Sequence, residues 1–366
     1  MLDSTSLVPD DWSGLISRVA GDLDLDALAK ETRALVRRRG VPDAQALLRL
    51  ALARGPGGMS LRQTAAWAHL SGVADLTDAS LNDRLHQSCD YLAAIVAKLL
   101  AARTPSPCPR WPGRVLRIAD GSCVGKPGSR GTDWRVHGVY DLGAGGFSHL
   151  ELTDKHGGEA LDRGVGVEGE IRIADRGYSA AKALRRFVAS VTQDKGADYV
   201  VRLRWRSFRL REPCGAKVDL IAHLQNMPKE QDIDDVRVLI EGAGDPLPTR
   251  IVIARKPEEA ARAECQRQMR DARKKGKQLD PRSLIAAEYV MLATSLPKNA
   301  YPASEILALY RLRWQIELAF KRLKTLLRID SLPAKTDKGG RSWIYAHLIL
   351  AIATDACSQD FLDSSP

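Results

Sequence analysis

The sequence predicts an α/β protein: an all-helical N-terminal part, then a strand-rich core interrupted by a mostly β insertion. Three observations predict it. Residues 25–38, 42–53, 61–70, 80–86 and 89–102 are five apolar-periodic stretches of helical length, with no alternating pattern among them. Beyond the proline-rich linker PSPCPRWP at 105–112, short apolar runs bounded by glycine turns take over. Finally, a long amphipathic stretch at 304–328 lies far downstream of those strands, across a segment too long for a simple loop.

Taken in order, the helices of the first part are punctuated by Gly55-Pro56-Gly57-Gly58 and by Ser71-Gly72. Residues 61–70, a turn and 78–85 have the outline of a helix-turn-helix, which would present Arg62, Gln63, Asn82 and Arg84 to DNA. A plain helical bundle explains the same pattern equally well. Residues 1–104 form the expected N-terminal domain. In the core, VLRIAD (115–120), 134–142 and 148–152 are strands joined by glycine turns. A short helical segment near 159–163 leads to a fourth strand, IRIAD (171–175). A helix at 179–191 and a strand at 198–205 follow, so the order is β-β-β-α-β-α-β. In 202–206 basic and apolar residues alternate, as on a strand with one cationic face. Strand-like runs at 236–240 and 249–254 and a basic helix at 258–275 complete the insertion, 202–286. The core then comprises 105–201 and 287–366, closed by an apolar helix at 342–357.

The stretch 304–328 (SEILALYRLRWQIELAFKRLKTLLR) is expected to be one helix, opened by Pro302 and Ser304 and stopped by DSLP at 330–333. On a helical wheel Leu309, Leu312, Ile316, Phe320, Leu323 and Leu327 form one apolar stripe. Tyr310, Arg313, Glu317 and Lys324 share an arc along its edge. Alone, each is an ordinary polar residue on an amphipathic helix. Together they have the spacing Y-x2-R-x3-E-x6-K. Upstream, Asp120 and Asp175 each close an apolar strand, followed by Gly121-Ser122 and by Arg176-Gly177-Tyr178. An aspartate in that place is by itself a common turn residue.

As a set these motifs resemble those of cut-and-paste DDE transposases of the insertion-sequence-four type, with their Asp-Asp-Glu triad and Tyr-Arg-Glu-Lys signature. The resemblance covers about residues 110–350. It implies an RNase H-like catalytic core, for which the strand and helix order above is the expected one. It further implies that Asp120, Asp175 and Glu317 are catalytic and hold two Mg2+ ions, with Mn2+ able to substitute. Hard cations favour carboxylate oxygen, and a two-metal centre suits in-line attack on a phosphodiester. By the same resemblance Tyr310, Arg313 and Lys324 contact phosphates, the ends are freed through a hairpin, and two copies pair in a homodimer. Relatives that make hairpins place a tryptophan shortly before the Glu helix to receive a flipped base. Here that place holds Tyr289, and Trp314 is a second candidate.

Charge is consistent with double-stranded DNA as partner. Lys and Arg number 55 against 45 Asp and Glu, a formal net charge of +10, with a pI near 9.4. Arg176, Arg202, Arg204, Arg270, Arg273, Lys274 and Lys275 are the expected backbone contacts. The six cysteines form no CxxC pair, so reduced thiols are expected rather than a zinc site. No apolar run is long enough for a membrane span and the N-terminus has no apolar signal region, so a cytoplasmic protein is expected. Two other readings stay open: a catalytically silent transposase-derived DNA-binding protein, and an RNase H-like nuclease without strand transfer.

Overall fold

A computed structural model describes residues 21, 23–192, 195–242, 244–325 and 332–363. Five helices come first: α1 Leu25–Glu31, α2 Ala44–Arg54, α3 Leu61–Leu70, α4 Asp78–Gln87 and α5 Cys89–Ala101. Side-chain caps start four of them, from Asp24, Asp43, Ser60 and Thr77, and Ser60 with Gln63 makes a full capping box. These helices are not a separate layer. Leu47, Leu48, Leu81 and Leu92 belong to the same buried cluster as Ile344, Leu348 and Ile349 of the last helix, α12 (Asp337–Asp363).

The core strands are β1 Val115–Val124, β2 Trp134–Asp141, β3 Gly146–Asp154, β4 Glu170–Ala174 and β5 Ala197–Arg202, with α6 Ala181–Ala189 between the last two. β1, β2 and β3 form an antiparallel meander, and β4 and β5 add in parallel to β1. Residues 159–163 form a turn, not the expected helical segment. The reason lies in β4. Arg172 is fully buried, and its guanidinium donates to the carbonyls of Leu161, Arg163 and Gly164 at 2.8–3.0 Å. Carbonyls committed to that fork are not available to a helical ladder.

The insertion holds β6 Leu210–Arg211, α7 Leu220–Asn226, β7 Ile233–Ile240, β8 Leu247–Arg255, α8 Glu258–Lys274 and α9 Pro281–Ala287. It is therefore not mostly β: α8 alone has 17 residues, against 8 and 9 in the two main strands. Its strands also join the core sheet. β9 (Tyr289–Thr294) pairs with both β5 and β8, giving one nine-stranded sheet in the order β3-β2-β1-β4-β5-β9-β8-β7-β6. The alternating run 202–206 is not a strand. β5 ends at Arg202, and Ser207 closes a turn by donating its N–H to the Arg204 carbonyl at 2.8 Å.

The expected single helix at 304–328 is two: α10 Ala303–Arg311 and α11 Trp314–Thr325. Between them Leu312, Arg313 and Gln315 donate three residues back, to Leu309, Tyr310 and Leu312, so the ladder tightens and the axis is interrupted. Leu309, Ile316 and Phe320 are buried as the stripe requires. The predicted end of the helix, 326–331, lies outside the described residues. α11 is seated on the sheet by Phe320, whose ring stands 5.5 Å from that of Phe147. Gly138 of β2 makes this approach possible, since a Cβ there would lie 2.7 Å from Phe147 and 2.9 Å from Phe320. Gly138→Ala is expected to cost about 1–3 kcal/mol through overpacking and to lift α11 from β2. A urea midpoint equal to wild type would contradict this seating.

Candidate active site

Side chains alternate along β1, so Asp120 shares the face of Leu116 and Ile118, the face covered by α10 to α12. The strand does not end at Asp120 as expected. It continues to Val124, because Gly121 to Val124 pair with His137 to Trp134 of β2. Ala119 and Ala174 are in register across the parallel pair β1–β4. Asp120 and Asp175, one residue on from each, are thus side by side at the same end of adjacent strands. Asp175 follows the last residue of β4 in an extended conformation and opens a short 3-10 turn, Arg176–Tyr178.

The two carboxylates sit in opposite electrostatic settings. Burial pushes Asp120 up to about 6; the Gly121 N–H and Arg313 pull against this, while Glu159 and Asp175 add to it. Burial also works on Asp175, yet the Arg176 N–H, the Arg202 and Arg313 guanidiniums and the Tyr310 hydroxyl together hold it below its ordinary value. The Tyr310 hydroxyl donates to Asp175 Oδ1 at 3.1 Å, and Arg202 Nη1 lies 3.9 Å from the same oxygen. Burial and the Asp175 charge push Tyr310 itself up to about 12, so it remains a donor at neutral pH.

Arg313 lies in the break between α10 and α11, and its Nη1 is 2.7 Å from Glu317 Oε1. Glu317, in the first turn of α11, is half exposed and bound to that arginine. Among the described residues no three His, Cys, Asp or Glu side chains stand close enough to hold a metal ion. Asp120 and Asp175 nevertheless fit a divalent cation: they are an all-oxygen pair at the same end of adjacent strands, and burial, with Glu159 and Asp175 adding to it, raises Asp120 in a way that a cation would relieve. For Glu317 to complete the set, its bond to Arg313 has to open.

The other expected contacts are distributed as follows. Arg176, Arg202, Arg204 and Lys275 line a cleft of about 730 Å3 between the β5–β6 turn and α8, beside Asp175. Arg270, Arg273 and Lys274 are exposed on the remaining faces of α8, and Lys324 is exposed in the last turn of α11. Trp314 is half exposed at the start of α11. Tyr289 is 5% exposed within the core, and its hydroxyl donates to the Leu224 carbonyl at 3.2 Å. A ring held that way presents no free face for stacking, which corrects the expectation for Tyr289. In the α3–α4 pair, Arg84 is tied to the carbonyls of Arg37 and Arg39, and Gln63 is used in the capping box.

The sequence did not single out Trp205, Arg206, Lys256 or Arg282. Trp205 lines the cleft between the guanidiniums of Arg206 and Arg282, 4.3 and 4.7 Å from its ring. Burial and the nearby Arg202 and Arg204 make Arg176 hold its proton less tightly. Cations crowded in this way favour an anion. Burial likewise lowers Lys256.

Among known proteins, the chain matches the model of the family described as transposase DDE domain over residues 111–353. It is similar to the transposase for insertion sequence element IS421 of Escherichia coli, 39% identical over 364 residues, 98% of this chain and 96% of that protein. The InsL transposase assigned to insertion sequence element IS186A of Escherichia coli K12 is also 39% identical, over 363 residues and the same shares of each chain. Among solved structures, piggyBac transposase in a synaptic complex with hairpin DNA aligns with a TM-score of 0.45 at 10% identity. That alignment covers 96% of this chain and 76% of the other, a likeness from which no feature of the site is inferred.

Proposed function

Because this chain belongs to the DDE-domain transposases of insertion sequences, enzymes that cleave DNA and transfer strands, we propose that it binds the element's terminal inverted repeats. It then cleaves at them through Asp120, Asp175 and Glu317, in the manner of the insertion-sequence-four group. The observation that carries this is the pairing of Asp120 and Asp175 on adjacent parallel strands, with Tyr310 and Arg313 brought onto them from the α10–α11 break. The order β3-β2-β1-β4-β5 with one antiparallel meander supports an RNase H-like core. The residues N-terminal to the linker act as a DNA-binding domain, 1–104. Residues 105–201 with 287–366 form the catalytic core, and 202–286 the basic insertion.

Asp120 and Asp175 would hold the cations, and Glu317 would join them once freed from Arg313. When bound, divalent cations, two Mg2+ or in their place Mn2+, supply Lewis acidity at the scissile phosphate. Arg313, released from Glu317, presents its fork to a phosphate oxygen, and Arg202 supplies a second guanidinium beside Asp175. Tyr310 keeps Asp175 oriented by its hydroxyl. A water oxygen bonds to phosphorus and the 3′ oxygen leaves as a hydroxyl. That hydroxyl bonds to phosphorus in the opposite strand, whose flanking 3′ oxygen leaves, closing a hairpin; water then reopens it, freeing the 3′ hydroxyl, which bonds to a target phosphorus as a target 3′ oxygen leaves. The cleft lined by Arg176, Arg202, Arg204 and Lys275 suits the backbone of a strand leaving the centre. The exposed Arg270, Arg273, Lys274 and Lys324 would extend that contact over the duplex, and Trp314, with its free ring face, would support a displaced base. Two copies would act as a homodimer on paired ends in the bacterial cytoplasm. Among the described residues no helix is long and apolar enough to cross a membrane.

The test uses DNA bearing the element's own ends with Mg2+, comparing wild type with Glu317→Gln. Wild type is expected to nick and join 3′ ends to target, while the variant binds the ends but loses cleavage by at least about 10³-fold. Cutting without joining would favour a hydrolytic nuclease. Binding without cutting by both proteins would favour a silent DNA-binding relic.

A further inference from the structure

The cleft beside Asp175 offers two chemically different surfaces. The first is cationic: eight Lys or Arg line the cleft against three Asp or Glu. Two of those carboxylates are already engaged, Glu264 with Arg267 and Asp280 with both Arg206 and Arg282. The excess charge therefore rests on residues such as Arg176, Arg204 and Lys275. The second surface is planar. The guanidiniums of Arg206 and Arg282 both lie over the Trp205 ring, and both donate to Asp280 Oδ2. Trp205 is fixed from two sides. Its Nε1 donates to Ser283 Oγ of α9 at 3.3 Å. Its turn is held by Ser207, whose Oγ accepts from the Arg204 N–H at 3.0 Å and bonds Ser179 Oγ at 2.9 Å. The Arg206 and Arg282 side chains are still 59% exposed, so the cluster is open to solvent. Cationic grooves track phosphates, whereas aromatic rings and guanidinium planes stack on nucleobases. The bases of a duplex are stacked on one another and turned inward, so only an unpaired strand can use both surfaces together.

We propose that this cleft holds single-stranded DNA, with its phosphates on Arg176, Arg204 and Lys275 and an unpaired base stacked on the cluster of Trp205, Arg206 and Arg282. Asp280 takes up N–H groups of both arginines, which leaves them better suited to stacking than to clamping phosphate. Arg202 lines the same cleft with its Nη1 3.9 Å from Asp175 Oδ1, so a strand lying there runs to the catalytic pair. The outer cations of α8 differ in kind. That helix carries no aromatic residue, and its exposed face suits duplex backbone alone. This inference rests on reading the cleft as the path of a strand from the catalytic pair, and adds that the strand is unpaired.

The measurement is binding of fluorescein-labelled oligothymidylate to the full-length protein in chelator, beside a duplex of equal length that lacks the element's ends. Trp205→Ala is expected to weaken single-strand binding about 5- to 100-fold while duplex binding stays within about twofold, with Trp205→Phe recovering part of the loss. Arg204→Ala should lower the slope of log affinity against log salt for the single strand by about 0.7. A second readout needs no variant: a single strand carrying 5-iodouracil, irradiated with wild-type protein, should crosslink to the segment holding Trp205. Crosslinks confined to other segments, or Trp205→Ala that binds the single strand as wild type does, would overturn this inference alone, even in a protein that cuts the element's ends. Wild type that holds the single strand here yet never cuts those ends would leave this site standing and overturn the catalytic reading of Asp120 and Asp175.

Discussion

Replacing Asp120 by asparagine is expected to abolish strand cleavage and, in the same protein, to raise stability at pH 8 by on the order of 2–3 kcal/mol. The first effect follows from the proposed role: an amide oxygen is a poor ligand for a hard cation and carries no charge. The second follows from burial. In the folded protein the carboxyl keeps its proton up to about pH 6, against an ordinary value of 3.8. Below about pH 3.8 both folded and unfolded chains are protonated, and aspartate and asparagine are nearly equivalent. As pH rises through 6, the folded state has to carry a buried carboxylate beside Asp175 and Glu159, whereas the unfolded chain carries it in water. The advantage of the amide therefore grows between about pH 4 and 6 and is complete above 6. Urea unfolding in the presence of chelator at pH 4 and pH 8 separates the cases. A difference between variant and wild type that is the same at both values would contradict burial as its source. Added Mg2+ should narrow the gap at pH 8, because the cation compensates the charge that destabilises the unliganded fold.

Arg172→Met is expected to destabilise the protein by about 3–5 kcal/mol, the usual result of removing one partner from a buried ionic network. Arg172 is completely buried; its Nε bonds Glu170 Oε1 at 2.6 Å, and its guanidinium lies 4.3 Å from the Phe187 ring. The other Glu170 oxygen accepts from Arg117 at 3.3 Å, and Arg117 reaches Asp141 at 3.2 Å. A methionine fills much of the space but leaves Glu170 Oε1 without the Arg172 bond, with only Arg117 and the Val167 N–H still on the other oxygen, and takes the guanidinium from the carbonyls of Leu161, Arg163 and Gly164. Arg172→Lys should recover only part of the loss, since an ammonium cannot span the loop carbonyls and Glu170 in one plane. A urea midpoint for Arg172→Met within about 0.5 kcal/mol of wild type would show that the loop is held by other means.

Motif chemistry was legible wherever it depended on neighbours in sequence. Asp120 and Asp175 could be placed at the ends of apolar runs, since a strand pattern needs only alternate side chains on one or two buried faces; what marked them as a pair was the resemblance of the residues that follow each to known motifs. The α3 and α5 starts were legible for the same reason: a capping box and an apolar period of 3.6 are written within ten residues. The long helix was misread because the wheel assumes one axis. The described structure instead breaks at Leu312 and Arg313, between Tyr310 on Asp175 and Phe320 over Gly138, anchors on two different strands. Nothing in the 304–328 pattern records where β2 and β4 lie. Trp205 and Arg206 belonged to an alternating run that any strand rule accepts, yet a turn closed by Ser207 turns them into cleft wall.

What the sequence by itself determined is the set of chemical groups and their order along the chain: two strand-borne aspartates, then a Tyr-Arg-Glu-Lys row on helical residues, with a basic insertion between. Local rules suffice for these, since hydrophobic period and capping act over a few residues. Tertiary structure alone decided that Asp120 becomes hard to ionise and Asp175 easy, and that Glu317 is held by Arg313. It also decided that Tyr289 is core. Those outcomes depend on burial and on charges brought together from distant parts of the chain, and both exist only once the sheet has paired and the helices have closed over it.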